Sequence, residues 1–163
     1  MRASAAIVFV AFMAAGCTRH PSVSQPHQIT VYYCQAGSDK LMPVQFSIDP
    51  KLQGSAAQKY ALNQLLVGPT VGRDSVVLFP EGTQASLSRQ GKTAIVNLTG
   101  TATKSFQGGA TDEAAMFKSL TYTLTSFPDI TAVQVLVGGQ KAAALPGGHF
   151  ELDEPLTRDT FAQ

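Results

Sequence analysis

Tryptophan is absent from the 163 residues, which removes the strongest aromatic platform for a sugar ring or a stacked base. Charge is sparse at 14% of the chain, 12 basic residues face 11 acidic ones, and no basic run occurs, so nucleic acid is not an expected partner. Only 2 cysteines and 3 histidines are present, and none has the spacing of a metal site. There is no Gly-x-Ser-x-Gly elbow and no phosphate-cradling Gly-rich loop ending in Lys-Ser/Thr. No catalytic residue, cofactor or metal ligand is therefore assigned, and an enzyme is not expected. Acid–base work by His149, Asp153 and Glu154 ranks behind two non-enzymatic readings, because nothing in the pattern selects it.

What is present fits one domain on a tether. Hydrophobic residues make up 44% of the chain, enough for a single compact core. Residues 1–16 carry one basic residue, Arg2, and an apolar run over residues 5–15 that is too short for a comfortable bilayer span, the form of a secretory signal. The run closes in Ala14-Ala15-Gly16-Cys17, which resembles the bacterial lipobox, with Ala14 where that box usually carries Leu. Cys17 is the expected lipid attachment point, and ordinary secretory cleavage is the alternative. Removing Arg2 leaves eleven basic against eleven acidic residues.

Residues 17–28 hold two prolines, two histidines and no apolar period, so they read as a flexible tether, and residues 29–163 as one domain. His20 and His27 have no partnering Cys or carboxylates nearby and read as solvated. Cys34 is left as a buried thiol, an intermolecular disulfide or a reactive site, with burial in a strand favoured. A Cys17–Cys34 disulfide stays open if Cys17 is not lipidated.

The stretch SAAQKYALNQLLVGPT, from Ser55 to Thr70, has the clearest helix pattern. Ala57, Ala61, Leu62, Leu65 and Leu66 share one side, Ser55 and Gln58 have capping-box spacing, and Gly68-Pro69 stops the helix near Val67. Before it, alternation over residues 29–34 and over Leu41–Ile48 predicts a hairpin, with Pro43 marking the second strand as an edge. After it, residues 70–79 read as loop with a short extended piece. Pro80-Glu81-Gly82-Thr83 is a turn into a hairpin of residues 83–88 and 93–98.

Residues 101–107 are polar apart from Ala102 and Phe106, and with Gly108-Gly109 they form the best candidate for a mobile loop. A second helix starts with Thr111 as cap and Asp112 and Glu113 at its positive end. Its stripe of Met116, Phe117, Leu120, Leu124 and Phe127 runs to Pro128, and core packing is preferred over a ligand groove. Val133, Val135 and Val137 define a strand, and Gly138-Gly139 is expected to turn it into a closing hairpin. The charged tail, with Glu151, Asp153, Glu154, Arg158 and Asp159, reads as docked with solvated ion pairs. This order predicts an α+β fold, two helices on one face of a mostly antiparallel sheet.

The chain resembles the GerMN domain family over most of residues 31–159. The likeness rests on Leu62-x-x-Leu65-Leu66-Val67-Gly68-Pro69-Thr70, Pro80-x-Gly82-Thr83, Ala94-x-Val96-x-Leu98, Phe127-Pro128 before Val133-x-Val135, and Pro155-Leu156-x-Arg158-Asp159. It implies an extracytoplasmic envelope protein, often a lipoprotein, similar in fold to the ring-building motifs of secretion and sporulation assemblies, with no catalytic residue to carry over. The expected function is a lipid-anchored interaction domain that contacts envelope proteins or copies of itself. The alternative is a small-ligand or glycan-binding lipoprotein whose pocket would gather Phe106, Gly108, Gly109, Arg158 and Asp159.

Overall fold

The computed structural model describes residues 27–104 and 106–162. The signal segment, Cys17 and the tether up to residue 26 lie outside the described residues. Strands β1 (His27–Gln35) and β2 (Leu41–Ile48) form the expected hairpin, with Val31 opposite Val44. The first strand begins at His27, so the last two residues assigned to the tether belong to the sheet. Ile29, Val31 and Tyr33 are buried by alternation, and Cys34 is buried as well. Helix α1 (Ser55–Val67) follows, then a one-turn helix at Arg73–Ser75 and the two-residue β3 (Val76–Val77), which pairs with the end of β1.

The second hairpin joins β4 (Thr83–Gln90) to β5 (Thr93–Gly100) through Gly91-Lys92. Gly91 has φ +60°, the positive value that the first position of a tight II′ hairpin turn requires. Helix α2 (Ala110–Leu124) leads into β6 (Ala132–Val137), which lies parallel to β5 with Val96 opposite Val135. Two three-stranded sheets result, ordered β2-β1-β3 and β4-β5-β6. The α+β class stands, with the strands divided between two small sheets rather than gathered in one.

Several local expectations are corrected. The N-cap of α1 is Gly54, with no side-chain capping bond. Gln58 instead points inward, 3% exposed, and its Nε2 donates to both carboxylate oxygens of Asp129 at 2.9 and 3.0 Å. A side chain held by a tertiary partner cannot also reach back to the helix start. Likewise Gly109, not Thr111, caps α2. That helix stops at Leu124, before Phe127, because Thr125 and Ser126 turn their hydroxyls back onto the carbonyls of Thr121 and Thr123 (both 2.7 Å).

The closing hairpin after β6 does not form. Gly138-Gly139 closes a single bridge between Val137 and Gln140, and the chain then departs, since the edge of β6 is taken by Leu156, bridged to Val133 through two 2.8 Å bonds. The tail packs as expected, burying Leu152 and Leu156. Among the described residues its charges form no ion pairs. Arg158 lies over the Tyr122 ring at 4.9 Å and donates to the Thr125 hydroxyl at 2.9 Å.

Candidate interaction site

The apolar stripe of α2 is core: Met116, Phe117, Leu120 and Leu124 are all but inaccessible. Two hydroxyls on the same helix have a second use. Ser119 and Thr123, one turn apart, accept the backbone N–H groups of Cys34 and Tyr32 at 2.9 Å each, so α2 supplies acceptors along the edge of β1 both beside Val77 of β3 and, at Tyr32, beyond it. An edge that would otherwise expose donors is closed by a helix. Sequence reading missed this pair, and its one signal was hydroxyls at i and i+4 inside an apolar stripe.

Burial pushes the Cys34 thiol pKa up, against the lowering effects of its Ser119 hydrogen bond and of nearby Lys118. The thiol is free and buried, as the strand reading expected, while a disulfide to Cys17 involves a residue outside the described ones. Tyr33 is pushed up to about 12, chiefly by burial and against the opposing charge of Arg73. Its hydroxyl donates to the carbonyl of Gln64 at 2.8 Å, tying β1 to α1.

Glu113, expected to serve the helix dipole, is fully buried and holds the tail. Its Oε2 accepts the N–H groups of His149 (2.6 Å) and Phe150 (3.0 Å). Phe150 in turn stacks between Phe117 and Phe161 at 5.4 and 5.6 Å. The tail is thereby locked by one carboxylate and a column of rings.

The five candidate pocket residues do not converge. Phe106 and Gly108 line an open hollow of about 440 Å³ with Leu78, Pro80 and Asp112. Phe106 is 9% exposed and its N–H donates to Pro146 at 2.7 Å, so the loop expected to be mobile is anchored there. Gly109 caps the start of α2, whereas Arg158 lies at its other end on Thr125, about 22 Å away along a helix of this length. Asp159 opens a one-turn helix, Asp159–Phe161. His149, Asp153 and Glu154 share the rim of a separate open hollow of about 440 Å³, with both carboxylates exposed. Among the described residues no cluster of His, Cys, Asp and Glu could hold a metal ion, and no helix is long and apolar enough to cross a membrane.

Among the described residues the long edges of β2 and β4 lack a strand partner. The register of β1 and β2, closed by the Gln35 N–H to Lys40 carbonyl bond at 2.9 Å, turns the backbone of Leu41, Pro43, Gln45 and Ser47 outward. Pro43, foreseen as an edge marker, occupies the middle of that row and interrupts its donors. On β4 the tight turn pairs Gln90 with Thr93, and Gly82 accepts the Thr101 N–H at 3.3 Å. The alternation between them directs Ala85, Leu87 and Arg89 outward, with no protein partner for their backbone groups among the described residues.

Residues 30–143 match the model of the Germane family, described as "Sporulation and spore germination". The chain belongs to the Germane family. Solved GerMN structures have the same fold. The first GerMN domain of the sporulation protein GerM from Bacillus subtilis is 20% identical with a TM-score of 0.62, over 82% of this chain and 98% of that one. The tandem GerMN domains of the same protein give 20% and 0.62, with 82% of this chain covering 46% of theirs. A Clostridium perfringens protein described as "Putative Lipoprotein" is 22% identical with a TM-score of 0.57, over 82% and 89% of the two chains. Comparison with curated proteins returned no match. The Germane family is a sporulation and germination family, not a known enzyme class.

Proposed function

We propose that this Germane-family chain is a non-catalytic, lipid-anchored interaction domain of the bacterial envelope, a scaffold or accessory in sporulation, germination or general envelope assemblies. The observation that carries the reading is the uneven closure of the fold. The tail covers the edge of β6 and α2 covers β1, while β4 keeps a row of unsatisfied backbone groups at the surface. Such an edge is a ready surface for another chain. The family description and the C. perfringens neighbour support an envelope location, and Ala14-Ala15-Gly16-Cys17 supports a lipid anchor. The residues named for the ligand-binding alternative do not share one pocket, since Phe106 precedes the start of α2 and Arg158 lies on Thr125 at its end, and this favours the interaction-domain reading.

In-cell cross-linking of the full-length protein, with mass spectrometry of what it captures from solubilised membranes, tests this. Reproducible cross-links to envelope proteins or to itself are the expected result. A protein recovered only as a lone monomer refutes the proposal.

A further inference from the structure

The open edge of β4 is not flat surface. Helix α1 runs beside it, and the two enclose a groove of about 670 Å³. The helix contributes Lys59, Leu62, Leu66 and Val67, a stripe at i, i+3, i+7 and i+8 on one face. Asp129 binds both Gln58 at the start of α1 and Arg89 near the end of β4, so the two elements run antiparallel, with Lys59 toward the Leu87 end of the groove. From Lys59 to Val67 the helix advances about 12 Å. Thr83 to Leu87 covers about 13 Å of strand. Wall and edge match in length over about five residues of extended chain.

We propose that this groove binds an extended segment of a partner protein, which joins β4 as an added strand and lays alternate apolar side chains on Leu66 and Val67. The inference rests on the interaction-domain reading above and names its surface. The backbone specifies the occupant, because Ala85, Leu87 and Arg89 offer N–H and C=O groups at strand spacing that only another strand satisfies in series. Val67 is 53% exposed, an apolar side chain at the rim with nothing over it among the described residues. Charge sets the polarity: Lys59 is the one charged residue lining the groove, and Arg89 is already paired with Asp129. A carboxylate in the segment beside Lys59 completes the match. A second folded copy fits poorly, since its β4 carries its own α1 on the same side and the two helices would collide.

The edge of β2 lacks this combination. Pro43 interrupts its donors, and among the described residues neither α1 nor α2 packs substantially against β2.

The test uses blocked, fluorescein-labelled peptides of about ten residues, with Val at alternate positions and Glu at either end, titrated against the full-length protein in detergent. Saturable binding is expected, with amide shifts and exchange protection confined to α1 and β4, foremost at Ala85, Leu87 and Arg89. N-methylation of alternate peptide bonds on one edge should weaken binding about tenfold or more, while methylation on the opposite edge leaves it nearly unchanged. This contrast needs no protein variant. Lys59→Glu should weaken the Glu peptide about fivefold and favour its Lys counterpart, and Ala85→Pro should remove an outward donor and lose binding.

No saturable binding by any peptide, equal effects of methylation on both edges, or shifts on β2 instead of β4 would overturn the proposal. A β4-mediated dimer abolished by Ala85→Pro would overturn it too, in favour of a second copy. If peptides fail while envelope cross-links persist, the groove is wrong and the interaction-domain reading survives. If cross-links vanish while peptides bind, the reverse holds.

Discussion

Glu113 holds the C-terminal segment through one oxygen, and its other oxygen is buried without a hydrogen-bond partner. Glu113→Ala therefore strands two backbone donors while also removing a desolvated oxygen. A net loss of about 1–3 kcal/mol in urea unfolding is expected, with raised proteolysis after residue 145, and unchanged stability would mean that the tail does not depend on this carboxylate. Gly148 makes the contact possible, since any Cβ there would collide with the Glu113 carboxylate. Neither residue was legible as a pair in the sequence. Their separation of thirty-five positions carries no local pattern, and an acid in the first turn of a helix ordinarily faces solvent and the dipole.

Cys34 and Tyr33 share a pH signature. Burial raises both pKa values in the fold, so each keeps its proton at pH values where the unfolded chain has lost it. Their contribution is full below the unfolded pKa values, roughly 8.5 and 10, and is lost as pH rises through the folded ones, about 12 for Tyr33. Urea midpoints should fall steadily from pH 8 to 11. Cys34→Ala should flatten the first part of that decline, and an unaltered slope below pH 10 would show that the thiol is not its source.

At the scale of elements, the junction of α2 with β1 depends on Ser119 and Thr123. Thr123→Val leaves the Tyr32 N–H, beyond the reach of β3, without its acceptor, at a cost of about 1–3 kcal/mol, and Ser119→Ala costs less because Cys34 also pairs with Val77. Hydrogen exchange should accelerate at the Tyr32 and Cys34 amides respectively. A change spread evenly over β1 would argue against the local pairing. The hairpins were readable because alternation, Gly91 and the Pro80–Thr83 turn act within a few residues. The hairpin expected after β6 failed for a tertiary reason. The parallel pairing of β5 with β6 needs the whole of α2 as a crossover, and the far edge of β6 is filled by the tail. Gly138-Gly139 supplied a turn, but Leu156 already bridges Val133 where a returning strand would have run.

At the scale of the whole molecule, the anchor and the interaction surface are separable. Cys17→Ala should move the protein from the membrane to the soluble extracytoplasmic fraction, while leaving peptide binding to β4 intact. Detergent-dependent membrane retention of the variant would refute anchoring through Cys17. The amphipathic helices, the alternating strands, the family and the α+β class were determined by the sequence alone, because each depends on short-range periodicity or on motif residues close in the chain. The division into two sheets, the burial of Gln58 and Glu113 as holders of distant segments, and the dispersal of Phe106 and Arg158 to opposite ends of α2 were decided by the tertiary structure. So was the choice between two exposed edges. Pro43 marks one in the sequence, but the other becomes a groove only when α1 packs beside β4. That packing is an outcome of burying Leu62 and Leu65 in a core whose remaining walls lie far along the chain.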